Sequence, residues 1–100
     1  MRKHQRYIQG VVVRLTDIPN VGKRVARDLE IIGIKDPEML KGKDPLDLYE
    51  RVCTETRVKQ DACLLDVFMA AVDYVNGASA RPWWYYTPER KRSYQLLDET

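Results

Sequence analysis

The run from Leu15 to Leu29, Leu-Thr-Asp-Ile-Pro-Asn-Val-Gly-Lys-Arg-Val-Ala-Arg-Asp-Leu, leaves the backbone few choices. Pro19 cannot continue a helix, because it has no N–H and its ring clashes with the preceding turn. Asn20 and Gly22 are the residue types that accept the positive φ of a tight turn. Beyond the turn, Val25, Leu29 and Ile32 recur on one face with Ala26 beside them, which predicts a helix from Gly22 to Ile32. Lys23, Arg27 and Glu30 fall on its opposite side, with Arg24 between the faces. Gly33 then fits the C′ position that ends a helix. Before the turn, Ile8, Val12, Leu15 and Ile18 keep helical spacing and predict a helix from about Arg6 to Asp17.

The second helix opens with backbone N–H groups that have no partner inside it. Lys23, Arg24 and Arg27 lie in its first two turns. Free N–H groups beside clustered cations form a place for a phosphate oxygen, so nucleic acid is the first partner to consider. The chain carries a net charge of only +2 over 100 residues, so any such affinity must come from local clustering. Asp17, Asp28 and Glu30 lie close enough to blunt the patch. The competing reading is a structural corner with solvated cations.

These residues resemble the helix-hairpin-helix motif. The motif runs apolar, two variable, apolar, Pro-Gly-apolar-Gly, three variable, Ala, two variable, Leu. The matching positions here are Leu15, Ile18, Pro19, Asn20, Val21, Gly22, Ala26 and Leu29. Asn20 stands where the motif usually has glycine, and asparagine is the best substitute in a left-handed conformation. The resemblance implies contact between Asn20, Val21, Gly22, Lys23 and Arg24 and phosphates on the minor-groove side of duplex DNA. Arg27, one turn on, extends the cationic patch. Such contacts carry no base information, so binding is expected to be independent of sequence and sensitive to salt. A wider resemblance rests on Gly33-Ile34, Asp44 to Tyr49, Asp61 to Phe68 and a Trp-rich tail. It is to the small bacterial pathogenicity locus family, sometimes labelled mitomycin-resistance-like, and it implies a fold more than an activity.

Asp36-Pro37 pairs an N-cap with a first-turn proline and predicts a short helix through Leu40. Asp44-Pro45 repeats the signal for a helix to about Glu55 that buries Leu46, Tyr49, Val52 and Cys53. Thr54 to Lys59 breaks it. A long helix from Gln60 to Asn76 follows, closed by Gly77. Its broad apolar face of Leu64, Val67, Phe68, Ala71, Val72 and Val75 marks it as central. The prolines around Arg81 to Pro88 predict an extended segment, with a last polar helix from Pro88 to Leu97. The expected fold is therefore all-α: a compact five-helix, tandem helix-hairpin-helix-like domain over residues 1–80. Its second hairpin, near Glu55 to Lys59, is degenerate for want of a glycine. An aromatic and basic tail over residues 81–100 packs on the domain.

Trp83, Trp84, Tyr85 and Tyr86 are expected to close the core of a short domain, and any that stays exposed marks an interface for a protein partner or a second copy. Cys53 and Cys63 read as reduced core thiols. Their spacing is not a zinc spacing, and His4 is the only histidine. Asp66, inside an apolar run, is expected at the edge of the buried face or paired with an arginine. No catalytic residue, metal or cofactor is expected. There is no run of eighteen apolar residues to cross a membrane, nor a secretory h-region, so a cytoplasmic location is expected. The composition, 44% apolar and 32% charged, suits one soluble domain. The expected activity is binding to the DNA backbone by an accessory module rather than an enzyme. The alternative is a protein–protein adaptor that uses the aromatic tail.

Overall fold

The computed structural model describes residues 13–94, and every regular element among them is helical. The α-helices are α1 (Lys23–Ile31), α2 (Pro45–Thr56), α3 (Ala62–Val75) and α4 (Thr87–Ser93). Single 3₁₀ turns span Leu15–Asp17, Pro37–Leu40 and Trp83–Tyr86. The expected five-helix count included the helix from Arg6 to Asp17, most of which lies outside the described residues.

Helix α3 is the centre. Leu65, Phe68 and Ala71 expose nothing to solvent, and Leu64, Val67, Met69, Ala70, Val72 and Val75 are nearly as covered. Leu48 and Val52 of α2, Leu29 of α1 and Leu40 of the connecting turn pack into the same cluster. Burying one such side chain contributes roughly 1.5–3 kcal/mol, so this shared cluster is the main stabilising term.

The ends of the helices are set by specific chemistry. Asp36, Asp44 and Asp61 each accept a hydrogen bond from a first-turn N–H, of Met39, Leu46 and Cys63. α1, α2 and α3 all end in the same way. The N–H of the residue after the left-handed one reaches back over a full turn, from Ile34 to Leu29, Val58 to Cys53 and Ala78 to Asp73. This arrangement needs a left-handed residue at C′. Gly33 and Gly77 supply it for α1 and α3, and Arg57 supplies it for α2 at φ 60°. The α2–α3 turn, predicted to be degenerate because it lacks glycine, keeps regular cap geometry with a strained arginine instead.

Three expectations are corrected. The helix expected to reach Asp17 is only a 3₁₀ turn at Leu15–Asp17, and Arg14 is extended. The Asp17 carboxylate accepts from the backbone N–H of Arg14 at 2.8 Å and of Val13 at 3.1 Å, which starts a new turn there instead of continuing an old one. The helix expected from Gln60 begins at Ala62, because Asp61 is its cap and Gln60 is buried in the preceding turn. The segment from Arg81 to Pro88, expected to be extended, forms the 3₁₀ turn Trp83–Tyr86 and runs directly into α4. Pro82 sits just before that turn and Pro88 in the first turn of α4, where a missing N–H breaks no helical bond. Beyond Tyr94, the helix predicted to reach Leu97 lies outside the described residues.

The tail is fixed to α3 by buried polar contacts. Asp66 is fully buried; it accepts from Arg90 Nε at 2.9 Å and from the Thr87 hydroxyl at 2.7 Å. Tyr86, itself buried, donates to Asp73 at 2.9 Å. The Asn20 amide donates to the Arg81 carbonyl at 2.7 Å, joining the first turn to the tail. Asp28 is different. It is 7% exposed, and its Oδ2 is the buried side-chain oxygen or nitrogen without a hydrogen-bond partner among the described residues. Burial pushes its carboxyl above the ordinary value of 3.8, against the opposing pull of Arg24 and Arg27.

Removing the Asp66 carboxylate takes the ion-pair partner from a buried guanidinium. Asp66→Ala is expected to cost about 3–5 kcal/mol in urea unfolding, and the apolar pair Asp66→Leu/Arg90→Met to recover most of it. Arg57→Gly relieves left-handed strain at an exposed site and should stabilise by about 0.5–1 kcal/mol. Asn20→Gly has the same backbone logic but loses the bond to Arg81, so it should destabilise by about 0.5–1.5 kcal/mol in the same assay. The raised Asp28 carboxyl means that the folded chain keeps a proton that the unfolded chain releases just above the ordinary aspartate range. Its contribution to stability therefore falls as pH rises through that window. Asp28→Asn should melt above wild type at pH 7, with the gap closing as pH is lowered to about 3.5. A constant gap would refute this.

Candidate nucleic-acid interface

The sequence from Ile18 to Gly22 turns the chain and starts α1. Ile18 and Val21 point into the core, the Val21 N–H returns to the Ile18 carbonyl at 3.0 Å, and Asn20 adopts φ 74°. Asn20 thus takes the backbone conformation expected of it. Its side chain, however, is committed to the Arg81 carbonyl rather than open to a ligand.

Gly22 is the N-cap of α1 and has no side chain to accept from the helix that follows. The first intrahelical bond runs from the Ala26 N–H to the Gly22 carbonyl at 2.9 Å. The N–H groups of the first turn therefore keep the helix end's partial positive charge with no acidic residue of that turn against it.

Among the candidate cations, Lys23, Arg24 and Arg27 are all exposed. Lys23 and Arg27 are one helical turn apart on the same strip, and neither closes a salt bridge among the described residues. Arg24 lies on the next strip with Asp28 one turn below it. Its Nη2 donates to the Gln60 side-chain oxygen at 3.3 Å. Of the three acids expected to blunt the patch, Glu30 stays exposed three residues after Arg27. Asp28 is buried rather than beside Lys23, and Asp17 is engaged with the backbone of Arg14 and Val13. Those two backbone bonds, Arg14 first, hold the Asp17 carboxyl below its ordinary range.

Gln60 gathers several contacts that the sequence did not reveal. Its carbonyl accepts from the Tyr49 hydroxyl, its N–H meets Cys53 Sγ at 3.4 Å, and its amide donates to Thr56 Oγ1 at 3.1 Å. Burial and the neighbouring Cys53 push Tyr49 up to about 12, so this hydroxyl stays a donor at neutral pH. Between α1, Gln60, the start of α3 and Trp83 lies an open cleft of about 270 Å³. Asp28 and Gln60 were both absent from the expected site. For Asp28 a signal existed: it lies three residues after Val25 and four before Ile32, on the edge of the apolar stripe.

The aromatic run divides. Tyr86 is buried and Trp83 half-buried, while Trp84 and Tyr85 are 62% and 52% exposed. The Arg81 guanidinium stacks over the Tyr85 ring at 4.6 Å from its centre. Cys53 and Cys63 are free and half-buried. Burial, then the Asp61 carboxylate, pushes the Cys63 thiol up and keeps it protonated. Among the described residues, no three His, Cys, Asp or Glu side chains converge as metal ligands, and no helix is long and apolar enough to cross a membrane.

Comparison with known proteins bears on the family. A 78-residue stretch is 53% identical to the mitomycin resistance protein McrB of Streptomyces lavendulae, covering 78% of this chain and 74% of that one. No solved structure matches. The model of the pathogenicity locus family matches residues 9–92, and the chain belongs to that family.

Proposed function

We propose that this chain is a non-enzymatic accessory module that grips the phosphate backbone of duplex DNA through the turn at Ile18–Gly22 and the first turn of α1. In this reading, residues 15–29 form a helix-hairpin-helix unit, and the α2–α3 turn at Arg57 is its degenerate second copy. The observation that carries it is the start of α1. A glycine cap leaves the first N–H groups open, and Lys23 and Arg27 stand beside them without salt-bridge partners among the described residues. A phosphate there would be held by backbone donors and two cations at once. Asn20 contributes through its backbone, since its amide is occupied by Arg81.

A second reading, a protein–protein adaptor, is favoured by one observation. Trp84 and Tyr85 are large, adjacent and more than half exposed, which is the composition of an interface anchor. It predicts that Trp84→Ala weakens self-association or capture of a protein partner.

The DNA reading predicts binding to random-sequence duplex that weakens steeply with salt. Lys23→Glu/Arg27→Glu should abolish the gel shift at moderate salt. Each of the single alanine variants should lower the slope of log affinity against log salt by about 1. If the folded double variant shifts duplex as wild type does, this turn is not the contact. A monomer by sedimentation, with no captured partner, would count against the adaptor.

A further inference from the structure

The turn Trp83–Tyr86 sends its four rings in different directions. A 3₁₀ turn has about three residues per turn, so successive side chains lie about 120° apart. Trp83 lines the cleft beside α1. Tyr86, one turn on, is buried and bonded to Asp73 of α3. Tyr85 lines a hollow on another side, with Arg81, Asp73 and Glu89. Trp84 lines neither hollow and is 62% exposed.

That ring is tied closely to the turn that starts α1. The Asn20 amide donates to the Arg81 carbonyl at 2.7 Å. Gly22 is two residues from Asn20 and Trp84 three from Arg81, chain spans of at most about 8 and 11 Å. The ring and the open N–H groups of α1 are thus within reach of one strand, since single-strand-binding domains track about 4–16 nucleotides.

The surroundings select the occupant. Acids stand on both flanks of the turn, Asp73 and Glu89 beside Tyr85 and Asp61 beside Trp83. They repel a polyanion from either hollow. Trp84, which projects between the two, is the ring left for a base. The same segment carries Arg81, Lys91 and Arg92, and its one acid between residues 81 and 94, Glu89, is engaged by Arg92 and Ser93. A protein anchor sits at the centre of an interface that buries about 800 Å² per partner. Here the other large exposed apolar side chains, Val13, Ile31, Met39 and Val58, each stand on a different segment. A base needs only one ring, and it brings a phosphate for the cations.

We propose that Trp84 stacks on an unpaired base, so that the ligand this chain prefers is duplex DNA with a single-stranded extension rather than blunt duplex. The ring acts together with the phosphate grip at α1 and so rests on that reading: α1 holds the backbone at the end of the duplex, and the extension runs from there to Trp84.

The test measures fluorescence anisotropy at one salt concentration with a labelled blunt duplex and with the same duplex carrying a thymine extension at its 3′ or its 5′ end. At least one extended duplex should bind about tenfold more tightly than the blunt one, the worth of one stacked base. Trp84→Leu keeps apolar area and removes the flat ring. It should bring the extended duplex down to the blunt level. Its affinity for blunt duplex should be unchanged, which also shows that the fold is intact. Trp84→Phe should keep a clear preference for the extension. Lys23→Glu/Arg27→Glu should weaken blunt and extended duplex alike. Equal affinity of wild type for blunt and extended duplex, or a preference that survives Trp84→Leu, would overturn the proposal and leave the duplex reading standing. Sedimentation that Trp84→Leu shifts toward monomer, with no preference for an extension, would overturn it in favour of a second copy on the same ring. No binding to any of the duplexes would remove the duplex reading and the stacking role with it.

Discussion

The last helix is held to the central one by a buried ion pair. Asp66 stands in the most apolar helix with no exposed surface, and Arg90, 6% exposed, lies against it. Each charge offsets the cost of burying the other, and the Thr87 hydroxyl occupies the second carboxylate oxygen. This contact fixes α4 on α3, while the 3₁₀ turn before it packs directly on α3. That turn brings Tyr86 to Asp73 and sets Trp83 against α1 and the start of α3. Arg81, at the start of the same segment, reaches the Asn20 amide. The wall of the cleft and the support of the first turn thus come from the same segment that the salt bridge helps to anchor.

Helix α1 serves two surfaces with one short sequence. Lys23 and Arg27 face solvent with the open N–H groups of the helix start. Arg24 and Asp28, each one position later, turn toward Gln60 and the cleft. The helical period alone separates a solvated pair of cations from a half-enclosed pair of opposite charges. A single position's shift in this stretch would exchange the two surfaces.

Much of the fold was legible because it is written in residue types with few uses. Asp-Pro at 36–37 and 44–45, Gly33 and Gly77 each set a helix end where expected. The α2 end was not legible in the same way. Arg57 does a glycine's work at a conformational cost that only tertiary packing can impose. The tail's helical turns are hidden in the sequence by prolines, because Pro82 and Pro88 stand at positions that need no N–H and so flank helical turns instead of breaking them. The candidate site was legible as a turn and a set of cations. It was not legible as two faces, because what turns Arg24 away from Lys23 is Gln60, 36 positions along the chain.

The position of Asp66 also bears on the time before the tail arrives. The apolar face of α3 is complete at Val75, but the residues that cover Asp66 come only at Thr87 and Arg90. A nascent chain that grows at about 5–20 residues per second presents that face uncovered for an interval. During it, a hydrated carboxylate interrupts what would otherwise be an unbroken sticky strip from Leu64 to Val72. The same aspartate that later accepts the arginine is, until then, a gatekeeper against association with other unfinished chains.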